Sequence, residues 1–155
     1  MSAPLHVREV TDEEAWAAAR AIRQRVFVEE QACPPEEEWD AHDWPQDRGA
    51  SCRHLLGEAE GRAVAVARWR PVSAEPGEPW AKLERFAVVP EARGHGYGCA
   101  MVEAAIGSAR AAGYTRLVLS AQEHLQGFYG AWGFEPRGER FWEAGIPHVK
   151  MTLEG

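Results

Sequence analysis

The stretch that decides the fold of this chain is Val88-Val89-Pro90-Glu91-Ala92-Arg93-Gly94-His95-Gly96-Tyr97-Gly98. Its three alternating glycines permit backbone conformations that side chains forbid, and they let a ligand approach the main chain closely. The residues from Lys82 to Val89 predict a strand that ends at Pro90, and Gly98 to Ala112 predicts a helix that Gly113 closes. Unpaired amides at the start of that helix, with Arg93 beside them, predict an anion site suited to a pyrophosphate.

Two other nucleotide-binding motifs fit this loop less well. A P-loop would continue as Gly-Lys-Ser/Thr, whereas Cys99-Ala100 follows here. A dinucleotide fingerprint would need a third small residue at Cys99 and an acid about twenty residues further on. No acid lies between Gly113 and Gln122. The glycine spacing alone also leaves open a tight strand-to-helix turn that binds no ligand.

Composition and charge narrow the class of protein. A chain of 155 residues with 45% hydrophobic and 26% charged residues predicts one globular domain, residues 1–155. The net charge of −7 argues against nucleic acid or an anionic membrane as partner. The chain has no basic and apolar leader and no stretch of membrane-spanning length, so we expect a soluble, cytoplasmic protein. The three cysteines lack a C-x-x-C pair, which predicts free thiols and no metal site.

Periodicity along the chain predicts an α/β (mixed α+β) fold. A capping box with Thr11 as its N-cap and Glu14 as its acid predicts a first helix that runs to about Glu29. The acidic segment after Pro34-Pro35 could hold a short helix, Glu123 to Trp132 predicts a later one, and Ser73 to Pro79 predicts a loop. The predicted strands are Pro4 to Val10, His54 to Glu58, Ala63 to Trp69, Lys82 to Val89, Leu117 to Leu119, Phe134 to Phe141 and Pro147 to Leu153.

This order predicts a central, mixed, mostly antiparallel sheet of about seven strands flanked by helices. A hairpin through Glu60-Gly61 should join the second and third strands. The helix after Val89 should cross over to a parallel neighbour.

Two motifs then resemble the GNAT superfamily of N-acetyltransferases. Arg93-x-x-Gly96-x-Gly98 resembles that family's acetyl-CoA signature, and Tyr129-x-x-x-Gly133-Phe134 resembles its second signature at the expected distance. The segments that resemble the narrower ElaA-like subgroup are Arg23-x-x-Val26-Phe27-Val28-x-Glu30-Gln31, Glu38-x-Asp40 and Ile146-Pro147-His148.

The resemblance implies a GNAT-type fold and direct transfer of an acetyl group from acetyl-CoA to a primary amine of a small molecule or peptide. It implies that main-chain groups of Phe86, Ala87 and Val88 pair with the pantetheine arm, and that Tyr129 protonates the leaving thiolate. Gln122 stands where many relatives carry a cofactor-binding Asn. The residues whose amides would hold the pyrophosphate are Gly94, His95, Gly96, Tyr97, Gly98 and Cys99.

The base and the acceptor site are less defined. The strand from Leu117 to Leu119 lacks the carboxylate that some relatives use, so Glu84 is the candidate base, with a salt-bridged strand carboxylate as the alternative. His148 is a candidate substrate contact or base, with a hydrogen-bonded strand histidine as the alternative. The candidates for selecting a cationic amine are Glu30, Glu38, Asp40 and Asp43; the alternative is a solvated acidic surface.

Two rival functions and the oligomeric state stay open at this point. An acyl-CoA-binding sensor would keep the fold without the reaction. An acyl-homoserine-lactone synthase is suggested by Arg23-x-x-Val26-Phe27 and Glu38-x-Asp40-x-x-Asp43, although those synthases are longer and lack the Arg-x-x-Gly-x-Gly loop. A homodimer is possible, and the sequence does not identify the acceptor.

Overall fold

The computed structural model describes residues 3–73 and 79–154, and within them one sheet of seven strands forms the centre. Only β4 and β5 pair in parallel; the other neighbours are antiparallel. The strands lie in the order β1-β2-β3-β4-β5-β7-β6. Their bounds are β1 His6–Glu9, β2 Arg53–Ala59, β3 Arg62–Val72, β4 Trp80–Val88, β5 Arg116–Gln122, β6 Glu135–Glu143 and β7 Ile146–Glu154. The predicted mixed, mostly antiparallel sheet flanked by helices is confirmed.

The helices follow the predicted order, with two differences. The first helix changes to π-helical geometry over its last seven residues, and the predicted helix Glu123 to Trp132 begins as a 3-10 turn and ends at Gly130. The helices are α1 Glu13–Arg23 with its π-helical segment Gln24–Glu30, α2 Pro35–Glu38, α3 Tyr97–Ala111 and α4 Gln126–Gly130. The 3-10 turns are Pro90–Ala92 and Glu123–Leu125.

The N-cap of α1 is Asp12, so the prediction of a capping box on Thr11 is wrong. The Ala15 amide donates to Asp12 Oδ1 at 2.7 Å, and the backbone of Asp12 is extended, as an N-cap requires. A carboxylate here also faces the positive end of the helix dipole, an advantage that a hydroxyl lacks.

Turn chemistry behaves as predicted in two places. Glu60 and Gly61 both have positive φ, 52° and 74°, which is the geometry of a tight hairpin turn whose twist matches the strands it joins. Gly113, at φ 98°, ends α3. The predicted loop from Ser73 to Pro79 falls mostly on residues 74–78, which lie outside the described residues.

The two faces of the sheet carry different layers. Consecutive strand residues point to opposite faces, and on β3 Arg68 contacts the acidic segment after α2, while Trp69 Nε1 donates to Ser108 of α3 at 2.8 Å. The first helix and the acidic segment therefore cover one face, and α3 covers the other. Trp69 is buried in the core.

The strands β4 and β5 separate soon after they pair. Their register contains only Ala81 with Leu117 and Lys82 with Val118. On its other side, β4 carries a bulge opposite β3, and Arg85 at this bulge has φ 60°. The main chain of β4 beyond Lys82 is therefore left open toward β5, at the centre of the sheet.

Candidate active site

A cavity of about 680 Å³ opens where β4 and β5 separate. The glycine loop, the start of α3 and α4 form one side, and the π-helical segment, β4 and the start of β7 form the other. Residues of the glycine-loop motif and of the Tyr129 motif therefore line the same cavity. The predicted site residues on its wall are Glu38, Glu84, Phe86, Ala87, Val88, Arg93, Gly94, Gly96, Tyr97, Gly98, Gln122, Tyr129 and His148.

The glycine loop has the geometry of an anion site. Gly94 and Gly96 have φ of 83° and 80°, which L side chains rarely adopt, and Gly96 is the N-cap of the fifteen-residue α3. Within the described residues no side chain caps that helix start, and a Cβ at either glycine would meet no heavy atom within 4 Å. Open space in front of unpaired amides fits the pyrophosphate of a CoA thioester.

Arg93 lies at this loop, but its charge is already paired. Its Nη1 and Nη2 donate to the two carboxylate oxygens of Glu30 at 2.7 and 2.6 Å, and its Nε donates to the carbonyl oxygen of Val88 at 2.9 Å. The pairing with Arg93 outweighs the opposing effect of burial and lowers the pKa of Glu30. Glu30, predicted as an acceptor contact, thus lies at the glycine loop.

Three other loop residues were predicted to bind through their main-chain amides. Tyr97 is buried and its hydroxyl donates to the carbonyl oxygen of Ala3 at 2.8 Å, which ties the start of α3 to the first segment of the chain. The side chains of His95 and Cys99 are exposed and outside the described wall of the cavity. Their amides remain the groups that the prediction used.

Tyr129 lies in an aromatic pocket on the cavity wall. Its ring packs against Phe86, Phe128 and Phe134, with centroids 6.1, 5.1 and 6.4 Å away. Burial raises the pKa of Tyr129 to about 12, so its hydroxyl stays protonated near neutral pH. That hydroxyl has no hydrogen-bond partner in residues 3–73 and 79–154, and it is therefore available to donate to a ligand.

Glu84 does not have the environment of a base. Its carboxylate forms ion pairs with Arg68 and Arg70, and Lys82 Nζ lies 3.7 Å from Oε1. Burial by itself would raise the pKa of Glu84, but the surrounding arginines outweigh it and hold the pKa below the ordinary value. A carboxylate that is stabilised in its charged form is a poor proton acceptor. The geometry favours the salt-bridged alternative.

The predicted acidic cluster is neither solvated nor unpaired. Glu38 and Asp43 are 3% exposed, so the expectation of a solvated surface is wrong for both. Arg23 Nε donates to Glu38 at 2.7 Å and its Nη1 donates to Asp43 at 2.6 Å, while Arg68 Nη2 donates to Asp40 at 2.6 Å. The protein's own arginines satisfy these charges, which leaves none free to attract a cationic amine.

His148 faces the cavity from β7, beside Gln122 on β5. Its Nδ1 lies 2.8 Å from the carbonyl oxygen of Ile146, so this nitrogen donates its proton there. In the neutral ring the lone pair is then on Nε2, which lies 3.6 Å from Oε2 of Glu143. A strand hydrogen bond thus orients the histidine, and the orientation leaves one nitrogen free to accept a proton.

Sequence reasoning missed the arginines of this site. Arg23 and Arg68 are almost fully buried, and Arg85 lies on the cavity wall. The sequence carried one usable signal, which is the abundance of Arg in a chain that also has an acidic segment. If those carboxylates are buried, they need cationic partners, and Arg is the residue available. The φ of 60° at Arg85 had no local signal, because no glycine marks the bulge.

Comparison with known proteins identifies the class. The fold matches a crystal structure of an acyl-CoA N-acyltransferase from Pseudomonas aeruginosa. That structure has a TM-score of 0.81 and 30% identity, and the match covers 98% of this chain and 99% of that one. The crystal structure of Escherichia coli ElaA has a TM-score of 0.81 and 28% identity, with coverage of 97% and 100%. The fold is that of an acyl-CoA N-acyltransferase.

The family follows from the sequence comparisons. The model of the acetyltransferase (GNAT) family matches residues 15–134. ElaA of Escherichia coli K12 is 34% identical over 151 residues, which are 97% of this chain and 94% of that protein. The chain therefore belongs to the GNAT family of acetyltransferases, and the predicted similarity to ElaA is confirmed.

None of the helices in residues 3–73 and 79–154 has the length and apolar character to cross a membrane. The same residues contain no group of three or more His, Cys, Asp or Glu side chains that could hold a metal ion.

Proposed function

We propose that this protein is an N-acetyltransferase that uses acetyl-CoA to acetylate a primary amine of a small molecule or peptide. The observation that carries the proposal is the single cavity that joins the glycine loop, the open edge of β4 and Tyr129. The family membership supports an acyl-CoA donor, and the open amides at the start of α3 suit its pyrophosphate. Main-chain groups of Phe86 to Val88 would hold the pantetheine arm along the gap.

The protein residues have two tasks in such a reaction. Acetyl-CoA supplies an activated acetyl thioester. Transfer of the acetyl group to an amine breaks the C–S bond and forms a C–N bond. The amine nitrogen loses a proton, and the leaving sulfur gains one. Tyr129 is the proposed proton donor, because its phenol is protonated, unpartnered and on the cavity wall. The rest of the site serves to hold the two substrates in line.

His148 is the proposed proton acceptor in place of Glu84. Its Nδ1 is anchored on Ile146, its Nε2 is free, and the nearby Glu143 carboxylate would pair with Nε2 once that nitrogen carries a proton. Glu84 is instead engaged by Arg68 and Arg70. We expect His148→Gln to lower kcat by ~10²–10⁴-fold, as is typical when a general base is lost. An equal loss in Glu84→Gln, with the fold intact, would reinstate Glu84 as the base.

The proposed function is tested by two measurements. Titration calorimetry should show that acetyl-CoA binds, and an assay of released thiol against a panel of amines should show turnover. Binding without turnover on any amine would support the acyl-CoA-binding sensor instead. Absence of acetyl-CoA binding would overturn the proposal altogether.

A further inference from the structure

The charges beneath the acceptor side of the cavity do not balance. Four carboxylates, Glu38, Asp40, Asp43 and Glu84, are each within ion-pair distance of at least two cationic side chains. Those cationic partners number five: Arg23, Arg68, Arg70, Lys82 and Arg85. This network, which we call the arginine cluster, therefore carries one more positive than negative charge.

Two neutral neighbours do not change that count. Burial lowers the pKa of His54 and raises the pKa of Cys52 to about 12, so near neutral pH the histidine adds no positive charge and the thiol adds no negative charge. An excess charge in a partly buried network is costly unless a counterion joins it. The arginine cluster lacks an anion.

Two members of the arginine cluster, Arg85 and Lys82, reach the wall of the cavity. Arg23 and Arg68 have side chains only 2% and 1% exposed, whereas the side chain of Arg85 is 22% exposed and lies on the cavity wall. The ammonium of Lys82 lies 3.7 Å from Oε1 of Glu84 and can bind a ligand only as a point charge, whereas the planar guanidinium of Arg85 can match a carboxylate.

The guanidinium of Arg85 is incompletely used. Its Nη2 donates to the carbonyl oxygen of Glu38 at 3.1 Å and lies 3.6 Å from Oδ2 of Asp40. Its buried Nε lies 3.2 Å from Oε1 of Glu38 but makes no hydrogen bond. Within residues 3–73 and 79–154, its Nη1 makes none either. A guanidinium offers five N–H donors, and the two on Nη1 are the ones left for a ligand.

The backbone holds Arg85 in this position at a cost. It lies at the β4 bulge with φ 60°, a conformation that is uncommon for residues other than glycine. Bulges redirect side chains, and local strain of this kind gathers at functional sites. Here the bulge holds an arginine whose side chain lies on the cavity wall.

We propose that the amine acceptor carries a carboxylate and that Arg85 binds it, so that the substrate class is an amino acid. The inference rests on the proposed function and narrows it. A guanidinium with free donors matches a carboxylate in geometry as well as in charge. The carboxylate also supplies the anion that the arginine cluster lacks. The specificity is then opposite to the cationic selection that the acidic residues had suggested.

The test compares the acetylation of amino acids and of their amides by the wild-type enzyme and by Arg85→Gln. Each common α-amino acid is assayed beside its amide, which keeps the amine and removes the negative charge. We expect the wild-type enzyme to prefer the acids. We expect Arg85→Gln to raise the KM for the acids at least tenfold while the amides and the acetyl-CoA affinity change little.

Arg70→Gln is the matched control. It removes the same charge from the arginine cluster, through a side chain that contacts Glu84 but is not on the described wall of the cavity. We expect it to retain the preference for acids. Arg85→Gly serves as a second variant that relieves the left-handed strain, in case the glutamine variant is unstable.

Several outcomes would overturn the inference. They are equal turnover of acids and amides by wild type, equal losses on both in Arg85→Gln, the same shift in Arg70→Gln, or a preference for aminophosphonates over the matching amino acids. If acetyl-CoA binds but no acceptor turns over, binding of N-acetyl amino acids is measured by calorimetry with CoA present. Binding that Arg85→Gln abolishes would support the carboxylate site while the proposed reaction fails; no binding would overturn both.

Discussion

At the scale of single residues, the surroundings of Tyr129 set the protonation state of its hydroxyl. Three aromatic rings bury its phenol, and burial raises its pKa to about 12. The raised value keeps the proton on the oxygen at neutral pH, which is the state a proton donor needs. The same burial would be harmful to a group that had to act as an anion.

Replacing Tyr129 by Phe tests the donor role. The substitution keeps the ring packing and removes only the hydroxyl, so the stability and the acetyl-CoA affinity should change little. The loss should appear in kcat, by ~10²–10⁴-fold, on an acceptor for which chemistry is rate-limiting. A kcat within about threefold of wild type would show that Tyr129 only packs its helix against the sheet.

Gly96 permits a test with a matched control elsewhere in the chain. Gly96 and Gly61 have φ of 80° and 74°, and a Cβ at either would meet no heavy atom within 4 Å. Gly96→Val and Gly61→Val should therefore carry similar backbone strain, and chemical denaturation should show similar losses of stability.

Only Gly96→Val should weaken acetyl-CoA binding, by at least ~10-fold or about 1.4 kcal/mol, because only its side chain would occupy the space before the loop amides. Calorimetry on both variants measures this difference. Equal affinities in the two folded proteins would mean that the pyrophosphate lies elsewhere.

At the scale of elements, two ion pairs join the π-helical segment to the donor loop. Glu30 holds Arg93, and Arg25 holds Glu91, with nitrogen–oxygen distances of 2.6 and 2.7 Å. Phe27, in the same π-helical segment, lies on the cavity wall. The π-helical segment on one part of the cavity wall is thus tied directly to the glycine loop on another.

Glu30→Gln should strengthen acetyl-CoA binding. Glu30 occupies both Nη groups of Arg93, and its negative charge lies beside the proposed anion site. Removal of the carboxylate frees Arg93 for phosphate, and we expect affinity to rise roughly two- to fivefold, the scale of an exposed ion pair. Glu91→Gln removes an equal charge from the same loop and leaves Arg93 paired. If both variants change the acetyl-CoA affinity equally, the cause is the loss of one negative charge near the loop and not the release of Arg93 from its ion pair.

At the scale of the whole molecule, the arginine cluster joins α1, α2, the acidic segment, β3 and β4 into one buried network. Its bonds link Arg23 to Glu38, and Arg68 to Asp40 and Glu84. Burial opposes the charged forms of Asp40 and Glu84, but the arginines outweigh it and lower the pKa of both. The pKa of Glu38 is instead raised, chiefly by burial, and it offsets part of their effect.

Lowered pKa values predict acid lability. Above the ordinary range of unfolded Asp and Glu, about pH 4, the stabilisation by Asp40 and Glu84 is fully present. As the pH falls below that range, the unfolded chain binds protons before the folded protein does, so the free energy of unfolding decreases. Urea unfolding between pH 7 and pH 3 should show this slope.

Glu84→Gln should lower the stability at pH 7 and flatten that slope. Glu103→Gln, which alters an exposed carboxylate on α3, should leave it as in wild type. If the two variants give the same slope, the acid lability does not come from the arginine cluster.

The sequence by itself determined the elements and the position of the glycine loop between β4 and α3. Hydrophobic periodicity located the strands, and the glycines at 94, 96 and 113 marked the loop and the end of α3, because turns and helix ends depend on neighbouring residues. The anion site could be predicted for the same reason, since it needs only a strand, a glycine loop and a helix start in succession. The first N-cap was one residue off, because Thr11 and Asp12 are both good caps and only the backbone path chose between them.

Only the tertiary structure decided the partners of the charged residues. Arg85 reaches the carbonyl oxygen of Glu38 from 47 positions away, and Arg68 reaches Asp40 from 28. Such pairs depend on how the acidic segment packs across the sheet and on a bulge that no local pattern marks. The acidic residues therefore suggested a cationic substrate, while the folded chain uses those charges internally and leaves Arg85 facing the cavity. The physical reason is that the free energy of a buried charge depends on its partners and its exposure, and both are properties of the packed molecule.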